Sequence, residues 1–133
     1  MTHALIPPAP KGPYSTTRRI GDVLYLSGQG SIEPTTGVAV LDDIRSQTER
    51  TLVNIRALLR SEGFDLDDLV QVTCYLTDIH EWASMNAAYA DFFKGGATPV
   101  RTAVEVSGLP FGLSIEMSCV AHRQSEIRTP GLT

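Results

Sequence analysis

The sequence predicts a single sheet with two helices packed on one of its faces. Three observations carry this. Apolar or alternating segments near 23–27, 70–76, 100–106 and 113–122 read as strands. Two others, about 43–61 and 79–93, repeat apolar residues at spacings of three and four, as helices do. Their order is strands, helix, strand, helix, two strands. Strand–helix–strand units imply parallel pairing through right-handed crossovers, which puts both helices on the same face.

Taken in order, residues 1–13 hold Pro7, Pro8, Pro10 and Pro13 and predict an extended arm. A short strand from Tyr14 to Arg19 and a turn at Gly21–Asp22 precede Val23–Ser27, which is apolar on both parities and so predicts burial on both faces. Ser27–Gly28–Gln29–Gly30 is a tight turn; it holds GxG but not GxGxxG, and no helix follows directly. After turn chemistry at 33–37, Val38–Leu41 is a candidate minor strand. In the first helix Ile44, Thr48, Leu52, Ile55 and Leu59 form the buried stripe, with Asp42 or Asp43 as cap and Gly63 as stop. Asp65, Asp67 and Asp68 make an acidic turn rather than a cation loop. Val70, Val72, Cys74 and Leu76 alternate with polar neighbours as a strand. The second helix is expected to bury Trp82, Met85, Tyr89 and Phe92 or Phe93, and Gly95–Gly96 ends it. The tail, 124–133, is polar and expected to be loose.

At 133 residues the chain has the length of a single domain, spanning 1–133, and it is large enough to bury a core unaided. A net charge of −4 offers no general electrostatic attraction to a polyanion, so nucleic acid is disfavoured as a partner. Cys74 and Cys119 lie in apolar runs and read as buried hydrophobes. No CxxC spacing or histidine cluster suggests a metal: His3, His80 and His122 are scattered. With no signal-peptide pattern and no run of about 18 apolar residues, a cytoplasmic protein is expected.

Arg101 and Glu116 are the charges that need explaining, since both sit in strands otherwise suited to burial. Alternation puts Arg101, Ala103 and Glu105, with Glu116, Ser118 and Val120, on the sheet face that no helix covers. Another copy of the chain would cover that face, which predicts a homo-oligomer packed sheet to sheet. On the residues alone, a buried ion pair and a site for a polar ligand both remain open. Asn86 and Tyr89, one helical turn apart, suit core packing and ligand contact equally.

Pro99–Val100–Arg101, Leu109–Pro110 and Ile115–Glu116–Met117 occur here in an order and spacing that resemble the RidA (YjgF) family of enamine and imine deaminases. Gly12–Pro13–Tyr14, Leu26–Ser27–Gly28–Gln29 and Asn86–Ala87–Ala88–Tyr89 with Phe92–Phe93 extend the resemblance over nearly the whole chain. The resemblance implies a chorismate-mutase-like α+β fold, a homotrimer with clefts between subunits, and a last strand inserted into the sheet rather than closing a hairpin. It further implies that Arg101 grips a substrate carboxylate and that Glu116 positions or activates water. Tyr14, Ser27, Gly28 and Asn86 would line the cleft, and no cofactor or metal would be needed. Many members carry Cys where this chain has Ala103, which alters the pocket and leaves the substrate open. The loop 94–98 is also short for the family.

The function expected is hydrolysis of 2-imino or enamine acids, such as 2-aminoacrylate, to 2-oxo acids and ammonia. A paralogue specialised for another enamine or enamide, a non-catalytic sensor of small carboxylates and an RNA-cleaving enzyme are the alternatives, the last disfavoured by the acidic charge.

Overall fold

The computed structural model describes residues 5–123. Residues 1–4 of the expected arm and the whole expected tail, 124–133, lie outside the described residues. Five strands, β1 (Thr17–Ile20), β2 (Val23–Gln29), β3 (Leu69–Leu76), β4 (Val100–Glu105) and β5 (Ile115–His122), form one sheet in the order β1-β2-β5-β3-β4. Only β3 and β4 pair in parallel; the other neighbours are antiparallel. β5 therefore sits between β2 and β3, as an inserted last strand requires.

Helices α1 (Ile44–Ser61) and α2 (Trp82–Phe92) cover one face. Asp43 caps α1 by accepting the Ser46 N–H at 2.8 Å. At its other end Gly63 takes φ +81°, a left-handed turn that suits glycine, and Phe64 N–H closes back on Leu59 O. Leu52, Ile55 and Leu59 of α1 and Met85 of α2 meet Leu24, Val72, Leu76, Ile115 and Met117 from the sheet, all fully buried. Both cysteines are free and buried in this layer.

Several details differ from the sequence reading. β1 begins at Thr17 rather than Tyr14, and 38–41 contributes only an isolated bridge from Ala39 to Ile32. A register shift between Leu69 and Gln71 turns Val70 outward, and Leu69 takes the core position. Tyr25 is 48% exposed, so β2 is not covered on both faces within this chain.

The main correction concerns β4. Arg101 pairs with Val72 and Ala103 with Cys74, and those β3 residues face the helices. Cross-strand partners point to the same side. Arg101 and Ala103 therefore lie under α2, while Val100 and Val104 face the open side, 71% and 39% exposed. Counting apolar residues misassigned the parity because β4 is an edge strand. Its helix side has room for a small Ala103 against the core and for a guanidinium among aromatic rings.

Candidate active site

Glu116 belongs to β5 and faces the open side, opposite Tyr75 of β3. Next to it β2 bulges: Leu26 pairs with Cys119 and Gln29 with Met117, leaving Ser27 and Gly28 against one residue of β5. The bulge brings the Gly28 backbone so near the Glu116 carboxylate that a Cβ there would overlap it. Ser27 Oγ donates to Thr16 O at 3.3 Å, fixing the bulge to the end of the arm. A cavity of about 60 Å³ opens here, lined by Tyr14, Gly28, Glu116, Pro110, Phe111 and Lys11 among others. Burial pushes the Glu116 carboxyl above the usual carboxylate range, with no cation among the causes.

α1 supports this wall. The buried Asn54 carboxamide donates to Gly30 O at 3.0 Å and Ile32 O at 2.9 Å, holding the chain just beyond the bulge. The buried Gln47 accepts the Ser114 N–H at 3.0 Å, two residues before Glu116. Helix side chains thus fix both segments that flank the carboxylate.

Arg101 lies elsewhere. Its guanidinium carbon is 4.7 Å from the centre of the Tyr89 ring and 5.9 Å from that of Trp82. Trp82 was expected in the core but is 46% exposed, standing over Arg101 at the sheet edge. Arg101 has no carboxylate partner among the described residues. Nearby on α2, Asn86 Oδ1 and Tyr89 Oη are buried without a hydrogen-bond partner among the described residues. Burial pushes the Cys74 thiol up to about 11, an effect that Arg101 partly offsets. Burial likewise raises the Tyr89 phenol, with Cys74 adding and Arg101 opposing. Ala103 sits beside Cys74, so the neighbouring strand supplies a thiol next to the small side chain.

The residues named from the sequence thus fall into two groups. Tyr14, Gly28 and Glu116 line the cavity, with Ser27 next to Gly28 in the bulge but not in the cavity wall, whereas Arg101 and Ala103 of β4 lie under α2, which carries Asn86. Glu116 and Arg101 occupy opposite faces, with β3 between their strands, so one chain does not bring them together. Nor do they form the buried ion pair that composition left open. Lys11 and Phe111 were missed as lining residues, because Pro–Lys–Gly and Pro–Phe–Gly read only as loops. Among the described residues no cluster of three or more His, Cys, Asp or Glu side chains could hold a metal, and no helix is long and apolar enough to cross a membrane.

A mixed five-stranded sheet with two helices on one face defines a small α+β domain, with Glu116 on its open side and Arg101 on its helix side. The family model described as endoribonuclease L-PSP matches residues 5–123, and the chain belongs to that family, the one that includes the RidA and YjgF proteins. A RutC family protein of Pyrococcus abyssi is 44% identical over 117 residues, covering 88% of this chain and 91% of that one. A 2-iminobutanoate/2-iminopropanoate deaminase of Salmonella typhimurium is 36% identical over 119 residues, covering 88% and 92%. Among solved structures, the Rid family protein YyfA of Yersinia pestis superposes with a TM-score of 0.85 at 40% identity, covering 91% of this chain and 96% of that one.

Proposed function

We propose that the protein is a cofactor-independent deaminase that hydrolyses 2-imino and enamine acids to 2-oxo acids and ammonia. We further propose that each site joins the Glu116 group of one copy to the Arg101 group of another, in a homotrimer. The observation that carries the reading is the pair of incomplete halves. Among the described residues, one offers a partly buried carboxylate with no ion-pair partner, the other a guanidinium with none. A substrate with a carboxylate beside an electrophilic C=N carbon supplies what each half lacks. The deaminase name of the Salmonella relative supports the same chemistry.

In this mechanism the planar guanidinium of Arg101 takes the substrate carboxylate through two parallel N–H donors. An enamine first tautomerises to its imine. Glu116 then accepts a proton from water as the oxygen adds to the imine carbon, giving a carbinolamine. It returns that proton to nitrogen, then takes the hydroxyl proton of the carbinolamine and relays it to the same nitrogen, so that the C–N bond breaks and ammonia leaves as the C=O forms. A carboxyl held above its usual range suits both transfers better than a fully solvated one. The rest of the rate gain comes from holding substrate and water in register.

The exposed Val100, Val104 and Tyr25 on the helix-free face support assembly of copies through that face. The test is a panel of imines generated by an amino-acid oxidase, with their disappearance followed in the presence of wild type, Arg101→Ala and Glu116→Gln. Wild type should accelerate hydrolysis and both variants should lose most of that acceleration. Equal acceleration by wild type and Arg101→Ala would reject the assignment. The endoribonuclease reading has the net charge of −4 against it. RNA left unchanged by highly purified protein would retire it.

A further inference from the structure

We propose that Phe111 selects the side chain of the substrate, favouring 2-imino acids with apolar side chains larger than a methyl group. The inference rests on the deaminase reading and deepens it. Phe111 has φ +63° and ψ 17° and is the sole non-glycine at positive φ among the described residues. A bulky aromatic residue is a true outlier in that region, because its Cβ crowds the following carbonyl. Core packing does not explain why it is there, since the residue is 52% exposed. Its ring contact is with the Lys11 ammonium, 5.2 Å from the centroid. An exposed cation–π contact returns no more than a left-handed backbone costs.

What the position does provide is a rim. Phe111 lines the same cavity as Glu116, beside Pro110, with Leu113 and Ile32 deeper in the wall. Lys11, which donates to Gly37 O at 2.6 Å, stands on the ring from the arm side. The cavity itself, about 60 Å³, is small, so it suits the reacting carbon and its water. A substrate side chain longer than methyl must leave it past the rim, where an aromatic ring is waiting. Strain kept at a cavity mouth points to a ligand contact rather than to folding.

The experiment compares kcat/KM for the alanine-derived and leucine-derived imines in wild type and Phe111→Gly, with the melting temperature of each protein. Glycine accepts positive φ freely, so the substitution removes the ring and relieves the backbone together. Wild type should prefer the leucine-derived imine. Phe111→Gly should lower that preference about tenfold, within the range that apolar contacts give, with an unchanged or higher melting temperature. Equal losses on both imines, or a preference indifferent to the substitution, overturn the proposal and leave the deaminase reading standing. A lower melting temperature with proportionate losses also overturns it, by making Phe111 a packing residue. Wild type that accelerates neither imine overturns the deaminase reading and this proposal together.

Discussion

Gly28 carries as much of the Glu116 half as the carboxylate does. A Cβ at position 28 would overlap the Glu116 Oε2 and Cδ atoms, which lie at the end of a flexible side chain. Gly28→Ala should therefore fold, with a melting temperature within a few degrees of wild type, yet displace the carboxylate. Imine turnover should fall by about tenfold or more, since a displacement of about an ångström is costly in a site that works by positioning. Unchanged turnover would show that the contact is incidental. Glu116 itself should be visible in stability. Burial raises its folded pKa above the unfolded one, so its contribution is fully present below the unfolded value and is lost as pH rises through the folded one. Thermal melts of Glu116→Gln against wild type should show the variant gaining relative stability from about pH 4 to pH 7. A difference that is flat with pH would contradict the shift. At this scale the sequence was partly legible. Arg101 and Glu116 stand out because charges in strands need a reason, whereas Phe111 and Lys11 do not, because backbone strain and cavity walls leave no trace in composition.

At the scale of elements, α1 does more than cover the sheet. Asn54 and Gln47 are buried polar residues on its inner face, and they hold the chain on either side of the carboxylate. Asn54→Ala leaves the Gly30 and Ile32 carbonyls without that donor and should cost about 1–3 kcal/mol. Chemical denaturation would measure this, with activity lost at a lower denaturant concentration than in wild type. The periodicity of α1 was plain in the sequence, and so was its stop at Gly63; the cap was narrowed only to Asp42 or Asp43, and Asp43 fills it. Strand β3 was also plain, except at its first turn, where the register shift moved Val70 outward. Strand β4 was legible as a strand but not by face. Alternation gives the two sides of a strand, and apolar content then chooses the buried one. That choice fails at an edge strand, where an arginine packs on aromatic rings and valines face a side that this chain leaves open. The position of β5 between β2 and β3 follows from long-range pairing, which local pattern does not encode; the family resemblance implied only that the last strand inserts into the sheet rather than closing a hairpin.

At the scale of the whole molecule, the sheet divides the site. Placing Glu116 on one face and Arg101 on the other leaves each chain with two unlike halves, and under the proposed assembly neighbouring copies complete them. Val100 and Val104 on the open face would then be interface residues. Val104→Asp should shift the protein toward monomer in analytical ultracentrifugation and reduce turnover, although position 104 points away from Arg101. Retention of both assembly and activity would place the interface elsewhere. The most direct test mixes two variants that are each inactive alone, Arg101→Ala and Glu116→Gln, co-refolded in equal amounts so that subunits redistribute. If every site takes its glutamate from one copy and its arginine from another, about a quarter of the sites recover both groups. Imine hydrolysis should then return to about a quarter of the wild-type rate. A mixture as inactive as its components, despite demonstrated subunit exchange, would contradict a site shared between copies.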